Sequence, residues 1–245
     1  MKISDAVLDV LSRAHTDGPR LSLFEQLDRS EYLAVDKVLK AAGGKWNRSA
    51  GAHLFPTSAA DAVEALLLTG EVCRPQDFGY FPTPAPVVEK LLSLADLRAG
   101  DEVLEPSAGR GAIAAEAART CPVDCIELLA DNAQHIANAG YARSVTVADF
   151  LTLPAEPRYD RVVMNPPFAR QADIDHVTHA LSFLRSHGRL TAVMSAALTF
   201  RTNAQTANFR ALIERSGGSV HALPDGAFKP SGTAVRAVLV TIPAP

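Results

Sequence analysis

Asp101-Glu102-Val103-Leu104-Glu105-Pro106-Ser107-Ala108-Gly109-Arg110-Gly111 reads as a strand ending in a carboxylate, then a loop of small residues that opens a helix. Small residues let a ligand approach the backbone closely, and the first turn of a helix offers N–H donors that have no partner within the helix. A nucleotide-like ligand fits such a loop. The Gly-x-Gly-x-x-Gly pattern of dinucleotide binders is incomplete, with Ser107 at its first glycine and Ala112 or Ala114 at its third. Glu105 is also out of place beside a pyrophosphate. A carboxylate at a strand tip suits a ligand with a positive ammonium group instead.

On both sides of this stretch, short apolar strands alternate with helical segments. Strands are predicted over 102–105, 123–128, 145–148, 161–164, 190–194, 220–223 and 236–242, and helices over 112–119, 130–139, 174–185 and 208–216. This alternation predicts an α/β, Rossmann-like, doubly wound fold: a mostly parallel seven-stranded sheet covered by helices on both faces. The last two strands have no helical pattern between them, so the final one is expected to run antiparallel at the end of the sheet. Ligands of such sheets bind beyond the carboxyl ends of the strands. Three acids stand at three successive ends: Glu105, Glu127 and Asp149, the last followed by Phe150. Glu127 is placed to hold two ribose hydroxyls, as a second-strand acid does in dinucleotide sites. Asp149 can accept from the amino group of an adenine, with Phe150 covering the ring face.

After the fourth strand comes Asn165-Pro166-Pro167-Phe168. Two consecutive prolines remove two N–H donors and stiffen the backbone, which leaves the Pro166 carbonyl outside any helical ladder. The Asn165 amide and that carbonyl can together accept both hydrogens of one planar amino group, and Phe168 offers a face on which a base could stack.

In these features the sequence resembles the class I S-adenosylmethionine-dependent methyltransferases of the amino-methylating type, above all the DNA adenine-N6 methyltransferases. Residues 105–111 look like their first cofactor motif, with Glu105, Pro106, Ser107, Ala108, Gly109 and Gly111 at the cofactor. Glu127 and Asp149-Phe150 look like the second and third motifs. Phe81-Pro82-Thr83-Pro84, ahead of a helix beginning near Val87, resembles the segment that closes over the cofactor's methionine end and adds Phe81, Thr83 and Pro84. Asn165, Pro166, Pro167 and Phe168 are similar to the catalytic motif, with Asn165 also touching the cofactor. The resemblance covers roughly residues 79–242. It implies direct methyl transfer to the exocyclic amine of a flipped base, with adenine in DNA as the leading acceptor, and calls for no metal and no general base. The motif is shared with ribosomal-RNA guanine-N2 methyltransferases and, in a close variant, with enzymes that methylate a glutamine amide. A non-catalytic binding module that keeps the fold is a further alternative.

Residues 1–74 form a separate unit in this reading, ahead of a catalytic domain over 75–245. Helical periodicity covers 2–11, 31–42 and 58–68, and a hairpin is expected from Lys45-Trp46 to His53-Leu54-Phe55. Lys37, Lys40, Lys45, Arg48 and His53 gather on that helix and hairpin, where they form either a solvated face or a surface for phosphates. Lys45 and Arg48 are the expected nucleic-acid contacts there. Lys229, in a loop resembling one near the target base, is a third. The formal net charge of −3 over 245 residues excludes a uniformly basic nucleic-acid binder, so phosphate contacts must be local. The 47% hydrophobic and 21% charged content is that of a globular protein. Three cysteines do not make a zinc site and are expected to be buried thiols. Neither a secretory signal nor an apolar run of about 20 residues is present, so a cytoplasmic location is expected.

Overall fold

The computed structural model describes residues 1–24, 26–72 and 82–244. The chain begins with Lys2 bridged to Glu71. It continues through α1 (Asp5–Ser12), β1 (His15–Asp17), β2 (Arg20–Ser22), α2 (Arg29–Ala41), β3 (Lys45–Asn47), β4 (Ala52–Leu54) and α3 (Ala59–Thr69). Local chemistry sets the helix ends. Ser58 caps α3, Gly70 closes it at φ 66°, and Asp28 with Glu31 makes a capping box on α2. The strands pair antiparallel in the order β1-β2-β4-β3. The β3–β4 hairpin and all three helices lie where periodicity places them. The β1–β2 hairpin is an addition: its strands are three residues long and bury only Leu21, so no alternation marks them.

The second part comprises α4 (Ala85–Ala95), β5 (Val103–Glu105), α5 (Ala112–Ala117), β6 (Val123–Glu127), α6 (Ala130–Ala139), β7 (Ser144–Val147), β8 (Tyr159–Met164), α7 (Ala172–Leu181), β9 (Leu184–Ser195), α8 (Ala204–Arg215), β10 (Ser219–Ala222) and β11 (Ala237–Pro243). Their seven strands form one sheet in the order β10-β11-β9-β8-β5-β6-β7. The expected doubly wound α/β fold is present, and its final strand β11 is antiparallel to both neighbours, inserted between β9 and β10. The helix expected up to Arg185 stops at Leu181, and β9 begins at Leu184. Tyr159 pairs with Leu184 and Arg161 with Arg189, so 185–188 bulge out of register, with His187 at φ 69°. That polar bulge hid the start of the strand.

Alternate strand residues face opposite layers. Val103, Val123, Val163 and Val193 pack with helices α4, α5 and α6, while Leu104, Ile126, Val162 and Met194 pack with α7 and α8. Burying each aliphatic side chain contributes about 1.5–3 kcal/mol. A third apolar cluster unites α1, α2, α3 and Leu21. The clusters touch: Leu68 of α3 belongs to the layer above β5, and Phe200, after β9, packs on the third cluster. Arg236 N also donates to the Leu68 carbonyl at 2.9 Å. The expected division near Arg74 falls outside the described residues. Cys121 and Cys125 are buried free thiols, and Cys73 lies outside the described residues. Among the described residues no helix is long and apolar enough to cross a membrane, and no His, Cys, Asp and Glu group could hold a metal ion.

Candidate active site

The sheet order reverses beside β5, whose neighbours β6 and β8 lead outward in opposite directions. A crevice opens at such a switch point, beyond the carboxyl ends of the strands. Here it is a cleft of about 560 Å³, within the roughly 300–1,000 Å³ range of small-molecule sites. Glu105, Glu127, Asp149-Phe150 and Asn165–Phe168 all line it, so four segments far apart in sequence meet there.

Glu105 ends β5 and is 1% exposed. Among the described residues its Oε2 has no hydrogen-bond partner, and burial, reinforced by the charge of Glu127, pushes its carboxyl well above the usual range. A buried acceptor without a donor is costly, and a cationic donor would relieve it. Pro106, Ser107, Ala108 and Gly109 form the floor of the cleft beside it. Glu127 braces this floor: its Oε2 accepts from Gly109 N at 2.7 Å and its Oε1 from Leu129 N at 2.9 Å. Gly111 does not line the cleft. Its requirement is conformational, since at φ 82° it caps α5, and a Cβ there would lie 1.8 Å from the Tyr141 hydroxyl oxygen.

Asp149 caps the short turn Phe150–Thr152 by accepting from Leu151 N at 3.0 Å. Phe150 is 3% exposed and sits among His176, His179 and Phe183, with ring centroids 6.1, 4.8 and 5.2 Å away, yet it still contributes to the wall.

β8 delivers Asn165 directly into the cleft. Its Nδ2 donates to Thr83 Oγ1 at 3.0 Å. Thr83 is 9% exposed and lines the cleft with Pro82. Pro84 is the N-cap of α4 and does not line the cleft, and Phe81 lies outside the described residues. Phe168 is 6% exposed, packed in the core on one side while lining the cleft on the other.

His176, Phe228, Leu128 and Leu129 line the cleft without having been expected to. His176 sits on α7 with its Nδ1 2.8 Å from the Ala172 carbonyl, and burial lowers its pKa. Only the pairing of Phe228 with Lys229 hinted at any of these from sequence. Lys229, the residue after Phe228, is exposed and does not line the cleft.

Lys45 and Arg48 are exposed on the β3–β4 hairpin and do not line the cleft. Trp46 between them is 47% exposed, edge-on to His53 with centroids 5.1 Å apart. His53 departs from the expected basic group. It is 1% exposed with its Nε2 3.0 Å from Asp36 Oδ1, so it is a core residue and not a phosphate contact. Lys40 is likewise ion-paired with Asp36 at 2.7 Å.

Comparison with known proteins agrees with this geometry. Residues 88–217, just over half of the chain, match the family model of the methyltransferase small domain. A modification subunit attributed to a type I restriction enzyme from Vibrio vulnificus superposes with a TM-score of 0.58 at 18% identity, over 69% of this chain and 45% of its own. This chain therefore spans less than half of that protein. A dimethyladenosine transferase from Plasmodium falciparum superposes at 0.51 with 17% identity, over 67% of this chain and 63% of its own. The 23S rRNA methyltransferase ErmE does so at 0.50 with 18% identity, over 68% and 70%. At these identities the likeness is one of fold. Among curated proteins no match to the sequence was found.

Proposed function

On the premise that the chain belongs to the methyltransferase small-domain family and uses S-adenosylmethionine as its cofactor, we propose that it methylates the exocyclic amine of a nucleic-acid base, foremost adenine N6 in DNA. The observation that carries this reading is the convergence of Asn165-Pro166-Pro167-Phe168 on the same cleft as the three strand-end acids.

The residues present fit the cofactor. Glu105, buried with an oxygen unpartnered among the described residues, suits the ammonium of a methionine moiety. Glu127 retains lone pairs for ribose hydroxyls while bracing Gly109. Asp149 and Phe150 suit an adenine edge and face. When bound, the cofactor supplies an electrophilic sulfonium methyl group.

The chain's own residues then act on the acceptor. Asn165 Oδ1 and the Pro166 carbonyl accept the two N–H bonds of the amino group, which draws its lone pair out of conjugation and aims it along one direction. Thr83 holds the amide from its Nδ2 side. Phe168 holds the base at the wall. These are contributions of position and fixed dipoles, which need no reorganisation at the moment of transfer. Residues 1–74 are assigned to target binding, with Lys45, Arg48 and the exposed Trp46 at phosphates and bases, and Lys229 is assigned as a further contact. Residues 75–245 are assigned to catalysis. The names of the similar structures, a restriction-modification subunit and two RNA- or adenosine-directed transferases, are in keeping with a nucleic-acid acceptor.

Tritium transfer from labelled S-adenosylmethionine into separated duplex DNA, RNA and protein fractions tests the proposal. Label in N6-methyladenine of DNA is expected. Label in guanine of RNA or in glutamine would replace the acceptor, and no label in any fraction would remove the enzymatic reading.

A further inference from the structure

We propose that Glu64, on α3 of the N-terminal segment, is a positioning residue for the Asn165–Phe168 loop, so that the N-terminal segment completes the catalytic framework as well as contacting the target. The inference rests on the reading of that loop as the one that holds the acceptor amine. Glu64 itself does not line the cleft.

Its carboxylate joins two loops that leave the catalytic sheet. Oε1 accepts from the backbone N of Arg170 at 3.1 Å, two residues beyond Phe168. Oε2 accepts from Arg201 Nη2 at 2.8 Å, in the loop after β9. The pair is well enclosed, with the Arg201 side chain 5% and the Glu64 side chain 18% exposed. The enclosed Arg201 bond is charge-assisted and fixes the carboxylate, whose other oxygen then meets Arg170 N at the exposed edge.

The backbone at this point needs an external hold. Arg170 and Gln171 are consecutive residues at φ 55° and 63°, the left-handed region in which a Cβ crowds the following carbonyl. Two such residues in succession persist only when surroundings over-determine them. Glu64 secures the first of them through its N–H. The second is secured by its side chain: Gln171 Oε1 accepts from Asn203 Nδ2 at 3.0 Å and from Thr206 Oγ1 at 2.7 Å, at the start of α8. Arg201 is held in turn, since its carbonyl accepts from Arg210 Nη1 at 2.7 Å. Phe168, Gln171, Asp173 and Arg201 enclose one small void, and Phe168 is the wall that this void shares with the cleft. A displacement of Arg170 is thereby passed to Phe168 and to the prolines that fix the acceptor carbonyl.

Hydrogen exchange by mass spectrometry, run beside single-turnover methyl transfer to duplex DNA and calorimetric titration with S-adenosylhomocysteine, tests this on the full chain. Glu64→Ala is expected to speed exchange of peptides over 165–172 by about tenfold or more, while peptides over 190–195 and 237–242 stay protected. The transfer rate should fall by a similar factor, with S-adenosylhomocysteine affinity within about twofold of the parent. Glu64→Gln keeps an oxygen for Arg170 N and should recover part of both losses, which also serves if Glu64→Ala folds poorly. Unchanged exchange over 165–172, or equal deprotection of the core strands in both variants, would overturn the proposal. A parent protein that methylates no DNA would instead remove the acceptor assignment, and the exchange data would still decide the role of Glu64.

Discussion

Replacing Glu105 with Gln separates the charge of this residue from its shape. The side chain is 1% exposed and its Oε2 has no partner among the described residues. Burial raises its pKa well above the ordinary range, because the charged form is stripped of water there. An ammonium bound there would favour the carboxylate. Cofactor binding should then release up to one proton, and for each unit by which the unliganded pKa exceeds the working pH about 1.4 kcal/mol of binding energy goes into that release. A hydrogen bond to a charged group is worth about 1.5–3 kcal/mol, which corresponds to roughly 10- to 150-fold in Kd. The full loss in Glu105→Gln should therefore appear only at a pH high enough for the parent carboxylate to form freely. As pH falls the two proteins should converge, because only the parent must expel a proton. Calorimetry with S-adenosylhomocysteine between pH 6 and 9, in two buffers of different ionisation enthalpy, reads both affinity and proton release. A parent protein whose affinity is flat with pH and which releases no proton would refute the assignment, as would a Gln variant that binds equally well throughout.

Asn165→Ala should lower methyl transfer by about 100-fold or more with S-adenosylhomocysteine affinity nearly intact, and Thr83→Val should lower it less, because it removes one hydrogen bond to the amide without deleting the amide; calorimetry beside single-turnover rates checks both. Asp173 is buried, and desolvation raises its pKa to about 7 although Ser195 N and Ile174 N donate to it. A carboxyl with a raised folded pKa binds its proton more tightly in the folded state, so this stabilisation is complete below about pH 4 and is lost as pH rises toward 7. Melting temperatures of Asp173→Asn between pH 5 and 8 should therefore depend less steeply on pH than those of the parent, and parallel curves would disprove the contribution. Changing Lys45 and Arg48 together to Ala should weaken duplex binding and lower the slope of log affinity against log salt by nearly two units, as read by fluorescence anisotropy; an unchanged slope would place recognition elsewhere, foremost at Lys229.

That Glu105–Gly109, the strand-end acids and Asn165–Phe168 meet at the carboxyl ends of the strands was legible, because each stands at or just after the end of a strand whose pattern shows in the sequence. A strand ending in Glu105 with small residues behind it needs no distant partner to be recognised. The seven-stranded sheet was legible because its strands, β-branched and mostly apolar, alternate with segments of helical periodicity. What stayed hidden depends on pairing at long range. Thr83 holds Asn165 from 82 residues away, and Glu64 reaches Arg170 across 106. A Glu on an amphipathic helix looks like any solvated residue until the fold places it. His53 misled in the opposite sense, because a histidine among lysines reads as basic surface until Asp36 is found beside it in the core.

These long-range pairings bear on how the N-terminal segment can work. A recognition module on a free tether would leave the catalytic layers whole, whereas here Leu68 fills the layer above β5, its carbonyl takes the Arg236 N–H, and Phe200 packs in the reverse direction on the N-terminal cluster. Removing residues 1–74 would uncover apolar surface on the catalytic part and release the Arg170 and Arg201 ends of the Glu64 bridge together. The N-terminal segment and the seven-stranded sheet thus share one set of packing contacts and hydrogen bonds. Through Glu64, α3 therefore holds the loops after β8 and β9 from outside the sheet, and a change in the packing of α3 reaches Arg170 and Arg201 directly.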